Sequence, residues 1–295
     1  MNNLSISENK TITIGLSFYN AELYLKYAID SILLQTYSNW NLILIDDGST
    51  DRSMEIATSY KDERITLLSD NINKGFQNRL NQLIDLSTGF YFARMDADDV
   101  MHPDRLKKQV QFMDCHPEVD LIGTWAYSIS GSNEITGMLT RPKVPDSIED
   151  VFSNNCFIHP TVIGKTEWFK KNKYDENAVR MEDFELWLRT INNSNFYNLN
   201  EPLLFYREAG IPSIEKYMKT HSGLRRLVMK KFTFKTIIPF FIKSYLKCSI
   251  YYMFDFFGCV DALIRKRSIP LNEKDINSGR QILNSLINQT QSSIL

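Results

Sequence analysis

Short, continuous apolar runs alternate in the N-terminal part of the chain with segments whose apolar residues recur at helical spacing. Thr11 to Phe18 is β-branched and ends in polar residues, which predicts a first strand. Asn20 is placed to cap a following helix, on which Leu25, Ala28, Ile29 and Ile32 share one face. Leu42 to Ile45 is apolar at every position, as in a strand covered on both sides. Gly48 in the polar segment after it permits a tight turn, and Ser49, Thr50 or Asp51 can cap a helix over Met54 to Tyr60. Arg64 to Leu68 predicts a third strand, Asn73-Lys74-Gly75 leads into a helix with Leu80, Leu83 and Ile84 inward, and Gly89 to Phe92 predicts a fourth strand. This alternation implies an α/β sandwich with a largely parallel sheet and right-handed crossovers.

The pattern continues with a helix opened by Pro103, its inner stripe Leu106, Val110 and Met113, and then a strand at Val119 to Gly123. From Thr124 to Asn155 it weakens. A turn at Gly131-Ser132-Asn133 and a proline-bracketed segment from Arg141 to Pro145 leave room for a short strand or two. Met181 to Arg189 is helical, with Phe184, Trp187, Leu188 and Ile191 on one face, and an exposed Glu185–Arg189 pair. Its start leaves Glu182 and Asp183 near the positive end of the helix. Pro202 to Arg207 reads as a last strand.

Beyond Pro212 the character changes, which divides the chain into residues 1–212 and a helical extension, 213–295. Between Arg225 and Arg267 there are ten Lys or Arg and only Asp255 and Asp261 as acids, among many aromatics. Lys243, Lys247 and Asp255 interrupt every window long enough to span a bilayer. Basic residues beside aromatic and aliphatic clusters suit a segment lying on an anionic membrane surface. The alternative is a helical subdomain packed on the main body, or on a second copy of the chain in a homodimer.

Over the whole chain the net charge is −1, so nothing global points to nucleic acid. The four cysteines form no CxxC pair, which favours reduced thiols in the cytoplasm over a zinc site or a disulfide framework. Met1 to Lys10 is polar, without the apolar core of a cleaved leader.

Candidate chemistry concentrates after strands. Ala93-Arg94-Met95-Asp96-Ala97-Asp98-Asp99 puts three carboxylates behind an apolar run, a donor set for Mg²⁺ or Mn²⁺. A turn would also use Asp there. Ser17 to Asn20 and Asp46-Asp47 follow two other strands, and open α/β sheets bind ligands at the carboxyl ends of their strands. No GxGxxG follows the first strand and no GxxxxGK[ST] occurs, which removes the main support for dehydrogenase and P-loop readings. Nor is the acidic run an EF-hand, which demands Gly where Met101 stands.

Ser17-Phe18-Tyr19-Asn20 with Glu22, Gln35 to Trp40, Ile45 to Asp51, Asn73-Lys74-Gly75, Met95 to Asp99 and Glu182 to Trp187 together resemble the ordered motifs of glycosyltransferase family 2, over roughly Thr11 to Arg207. The resemblance implies a GT-A fold, a Rossmann-like mixed sheet flanked by helices, and an inverting hexosyltransferase that uses a nucleotide-diphosphate sugar, with UDP the expected nucleotide. It implies that Ser17, Tyr19 and Glu22 line the nucleotide pocket and that Asp47 recognises the base. Asp96 and Ala97 would lie against the nucleotide sugar, Asp98 with Asp96 would hold Mn²⁺ or Mg²⁺, Asp99 would position the loop, and Asp183 would be the general base. Two departures stand out. Leu80, not Arg, precedes Asn81, with Arg79 one place earlier, and Glu208-Ala209-Gly210 stands where relatives often carry a His.

These roles agree with the chemistry. Cleaving a sugar–phosphate bond passes through an oxocarbenium-like state while charge builds on the leaving diphosphate, and a divalent cation offsets that charge. The attacking hydroxyl must lose its proton, so a carboxylate on the opposite face is needed. His159 is placed either to line the acceptor side or to serve the core. The leading expectation is transfer to a saccharide or lipid-linked saccharide in surface polysaccharide synthesis, at the cytoplasmic face of the membrane. The competing one is a catalytically silent sugar-nucleotide-binding scaffold.

Overall fold

Every residue of β1 (Ile12–Phe18) is buried, because parallel neighbours flank it on both edges: β2 (Trp40–Asp46) and β4 (Tyr91–Asp96). The computed structural model describes residues 10–141, 144–145, 147–153, 155–208, 213–232, 234–260, 263 and 268–292. The N-terminal segment read as lacking a leader, and part of the segment between Arg141 and Pro145, lie outside them. β3 (Ile65–Ser69) adds a fourth parallel strand on β2. Helices α1 (Leu25–Leu33), α2 (Ser53–Ser59) and α3 (Phe76–Leu86) connect these strands, with Leu25, Ala28, Ile29, Leu80, Leu83 and Ile84 facing inward as their spacing requires.

After β4 the sheet turns mixed. β5 (Val100–Met101) and α4 (Arg105–Cys115) lead to the hairpin β6 (Leu121–Ile129) and β7 (Ile135–Leu139). Then come α5 (Ile148–Ser153), β8 (Ile163–Lys165), α6 (Thr166–Lys171), α7 (Glu182–Thr190) and β9 (Phe196–Arg207). The nine strands run β3-β2-β1-β4-β8-β6-β9-β5, with β7 on β6. β8 is antiparallel to both β4 and β6, so it joins the parallel half to the rest.

Three local readings change. Asn20 does not cap α1; it takes a left-handed conformation (φ 49°), which Asn tolerates, and its side chain accepts from Thr50 N at 2.8 Å. β6 and β9 are longer than their apolar runs because their parallel pairing shifts register around Trp125, which breaks the two-residue period. Glu185 is buried at 3% exposure, not exposed, although it does accept from Arg189 Nε at 3.1 Å.

The C-terminal segment is helical: α8 (Ile214–Lys231), α9 (Phe234–Phe256) and α10 (Glu273–Ser292). The boundary expected at residue 212 coincides with residues outside the described set. α8 and α9 pack on each other, with Tyr217 stacked on Tyr251 at 4.0 Å. α10 instead returns to the main body, where Leu283 and Leu286 join Val100, Tyr127 and Phe205 in one core cluster. All four cysteines are free thiols.

Candidate active site

At the carboxyl end of the parallel half, in-register pairing places Ser17 beside Asp96 on one side and Ile45 on the other, and Phe18 opposite Asp46. The loops after β1 and β2 are stitched together. Ala21 N donates to Ser53 Oγ, Glu22 N to Asp51 Oδ2, and Arg52 N to Glu22 Oε2. Tyr19 stands 51% exposed at the rim of this wall.

Asp47 is buried and fully engaged. It accepts from Lys74 N at 2.8 Å, Gly75 N at 3.1 Å and Arg79 Nε at 2.8 Å. Arg79, 1% exposed, also pairs with Asp70 at 2.6 Å and donates to the Ile72 carbonyl. Its guanidinium thus builds the wall, which explains how an Arg displaced by one position from the family pattern is used. Asp70 is held well below the usual carboxylate range by its bonds from Arg79 and Lys74.

β4 delivers Asp96, and the turn beyond it Asp98 and Asp99; oxygens of all three carboxylates lie within 4.8 Å of one another. Burial and the charge of Asp96 push Asp98 up to about 6, and burial with the charges of Asp98 and Asp96 raises Asp99 well above the usual range. Asp99 accepts from Arg207 N at 2.8 Å through Oδ1, while its Oδ2 is buried with no partner among the described residues. An all-oxygen set strained by its own negative charge fits a hard divalent cation. Asp96, Asp98 and Asp99 are the residues that could hold one.

Asp96, Asp98 and Asp183 line one cleft of about 1020 Å³, together with Arg94, Arg141, Asn155, His159, Glu182, Tyr206 and Lys247. Ser17, Tyr19, Glu22, Asp47 and Ala97 do not border this space; all but Ala97 belong to the neighbouring wall. Asp183, in the first turn of α7, is oriented by Asn155 Nδ2 at 3.1 Å and by Phe184 N at 2.7 Å. Burial and the adjacent Asp183 charge raise Glu182, which accepts from Gln77 Nε2 at 3.0 Å. His159 lines the cleft and shares a hydrogen bond with Tyr174 Oη at 2.8 Å; burial holds its imidazole neutral, well below its usual value.

Several cleft residues escaped sequence reasoning. Arg94 is 3% exposed and pairs with Asp96, yet its Nε and Nη1 are buried with no partner among the described residues. A basic residue inside an otherwise apolar strand was the available signal. Asn155 and Lys247 carry no such signal, since they come from separate elements that only the fold brings together.

The comparisons with known proteins agree with this geometry. The O-antigen biosynthesis glycosyltransferase WbnJ of Escherichia coli is 32% identical over 204 residues, 66% of this chain and 79% of its own. A second E. coli relative, the UDP-Glc:alpha-D-GlcNAc-diphosphoundecaprenol beta-1,3-glucosyltransferase WfgD, is 29% identical over 191 residues, 64% of this chain and 73% of its own. Among solved structures, the mannosyltransferase PcManGT of Pyrobaculum calidifontis, in complex with GDP-Man and Mn²⁺, shares the fold at a TM-score of 0.56 and 14% identity, covering 97% of this chain and 88% of its own. The sequence model of Glycosyl transferase family 2 matches residues 13–176, and with the mixed sheet and acidic cleft above, the chain belongs to that family of sugar-transferring enzymes.

Proposed function

We propose that the enzyme is an inverting, metal-assisted glycosyltransferase that moves a sugar from a UDP-sugar to a saccharide acceptor carried by a lipid diphosphate. The observation carrying this reading is that one cleft is lined both by Asp96 and Asp98 of the acidic cluster and by the separate carboxylate of Asp183. Inversion needs such a division, with the leaving group stabilised on one side and the proton removed on the other. The stitched wall of Ser17, Tyr19 and Glu22 receives the nucleoside, with Asp47 behind it. Since both Asp47 oxygens already accept protein donors, its contribution to base recognition runs through the loop it fixes, Lys74 and Gly75.

A bound Mn²⁺ or Mg²⁺ supplies charge compensation for the departing diphosphate. Arg94, anchored on Asp96, brings its positive charge to the donor side of the cleft. Asp183, aimed by Asn155, takes the proton of the acceptor hydroxyl. Neutral His159, held by the Tyr174 hydroxyl behind it, presents a polar edge to the acceptor sugar.

The reading also places the enzyme on the cytoplasmic face of a membrane. No helix among the described residues is long and apolar enough to cross one. Along α9, however, Ile238, Ile242, Leu246, Met253 and Phe256 are all about half exposed or more, next to Lys243 and Lys247. At 1.5 Å per residue the helix is roughly 34 Å long, suited to lie in an anionic headgroup layer. WfgD's lipid-linked acceptor supports the same location.

Thermal stability against UDP, GDP and TDP sugars with Mn²⁺, combined with release of the nucleotide diphosphate, tests the proposal. UDP-sugar should raise the melting temperature, and Asp98→Asn should cut turnover by about 10²–10³-fold, the scale of losing one charge-stabilising group. Ligand binding with no turnover in the wild type would instead identify the silent scaffold.

A further inference from the structure

We propose that Arg141 and Lys247 form an anion subsite on the acceptor side of the cleft, taking the diphosphate that joins the acceptor sugar to its lipid. This deepens the reading above and rests on it. The cleft's carboxylates already have assignments: Asp96, Asp98 and Asp99 on the donor side, Asp183 at the reacting hydroxyl. Arg141 and Lys247 line the same space without any ion pair among the described residues. Glu208 on the same wall makes none with either.

Arg141 is aligned with the base rather than with the donor side. Of the carboxylates lining the cleft, it is Asp183 whose charge reaches it. Its Nη1 donates to the Thr140 carbonyl at 2.7 Å, and its Nε is buried with no partner among the described residues. Burial depresses both cations, Lys247 further through neighbouring Lys243, so each gains from an anion brought into the cleft. A partly desolvated guanidinium such as Arg141, with no direct ion pair among the described residues, is costly unless a ligand completes it.

Lys247 adds the second, independent argument. It sits on α9, whose outward face carries Ile242, Leu246 and Met253. A phosphate held at Lys247 therefore leaves its lipid chain beside the helix suited to the bilayer. A free sugar or a soluble oligosaccharide would use neither feature.

The test measures binding of decyl diphosphate to the full chain in EDTA, so that no cation can hold a diphosphate at the aspartate cluster. Decyl maltoside and inorganic pyrophosphate are the controls. Lys247→Ala and Arg141→Ala should each weaken decyl diphosphate by about 10-fold, the lower end for a charge-assisted hydrogen bond, and leave decyl maltoside unchanged. Arg141→Lys should recover part of the loss, which a merely misfolded variant would not. Equal losses for decyl maltoside, or pyrophosphate bound as tightly as decyl diphosphate, would overturn the subsite. UDP binding with Mn²⁺, measured on the same protein preparations without EDTA, separates the inference from the proposed function. Its absence in the wild type would overturn the UDP-sugar donor of the proposed function. Its presence, with decyl diphosphate insensitive to both substitutions, would overturn this inference alone.

Discussion

Asp47 and Lys247 belong to regions built on opposite terms. Around Asp47, in the parallel half, every strong charge is matched inside the protein: Arg79 bridges Asp47 and Asp70, and Asp47 also ties down Lys74 and Gly75. Around Lys247, on α9, the cation has no ion pair among the described residues, and large apolar side chains face outward. The first region is complete by itself, as a preformed nucleotide wall must be, since buried polar groups need partners. The second is complete only with something outside the chain, a membrane surface and an anionic acceptor in our reading. The difference teaches where to look for specificity. In the proposed function, donor geometry would reside in internal networks and acceptor delivery in surfaces left open.

The largest effect should come from breaking the internally matched half. Arg79→Met leaves Asp47 buried without its cation and should cost about 3–5 kcal/mol of stability, the usual penalty for removing one partner of a buried pair. Urea unfolding measures it; a loss below about 1 kcal/mol would mean that the network is not structural.

The open half should respond in the reverse manner. Ile242→Ser with Leu246→Ser should reduce binding to phosphatidylglycerol-containing vesicles by roughly 10-fold, about 0.7 kcal/mol per partly inserted side chain, with little change in stability because both residues are exposed. Flotation and thermal melting give the two readouts. Vesicle binding unchanged by the substitutions would assign the stripe to another surface.

The smallest effect sits at the junction of the two helices. His221 on α8 shares a hydrogen bond with Ser244 at 2.9 Å, beneath the charges of Lys247 and Arg225 and beside the Tyr217 ring. Burial, then those cations, push its pKa from 6.5 down to about 4. Between those values the unfolded chain binds the extra proton, so stability should fall as pH drops through that window. The part-exposed site limits this to about 1 kcal/mol by pH 5. A His221→Gln chain should lose part of the slope between pH 7 and 5; an unchanged slope would place the titration elsewhere.

Legibility followed the same division. The parallel half was readable because strands buried on both sides are continuously apolar and their helices keep one face inward, so Leu42 to Ile45 and the Leu80/Leu83/Ile84 stripe announced themselves. Asp96 and Asp98 were readable because they directly follow such a strand, and Asp183 through the ordered motifs. β6 and β9 were read too short because a register shift near Trp125 scrambles alternation. Glu185 was misread because its pairing with Arg189 has the same spacing whether buried or exposed. Arg141 and Asn155, from the weakly patterned stretch, meet Lys247 of α9 in the cleft, and no local pattern encodes such a convergence. The exposed apolar stripe of α9 was visible as basic and aromatic residues, but α10, seated on Tyr127 and Phe205 of the main body, was not separable from it by composition.

The central claim, that one cleft divides leaving-group stabilisation from proton removal, is tested most directly by Asp183→Asn. UDP affinity with Mn²⁺ and sugar transfer should be measured side by side on the same variant. The account predicts UDP affinity close to that of the wild type and transfer reduced by about 10²–10⁴-fold, the contribution of a general base. Transfer retained at near wild-type rate, or UDP binding lost along with it, would contradict the assignment of Asp183 to the acceptor side.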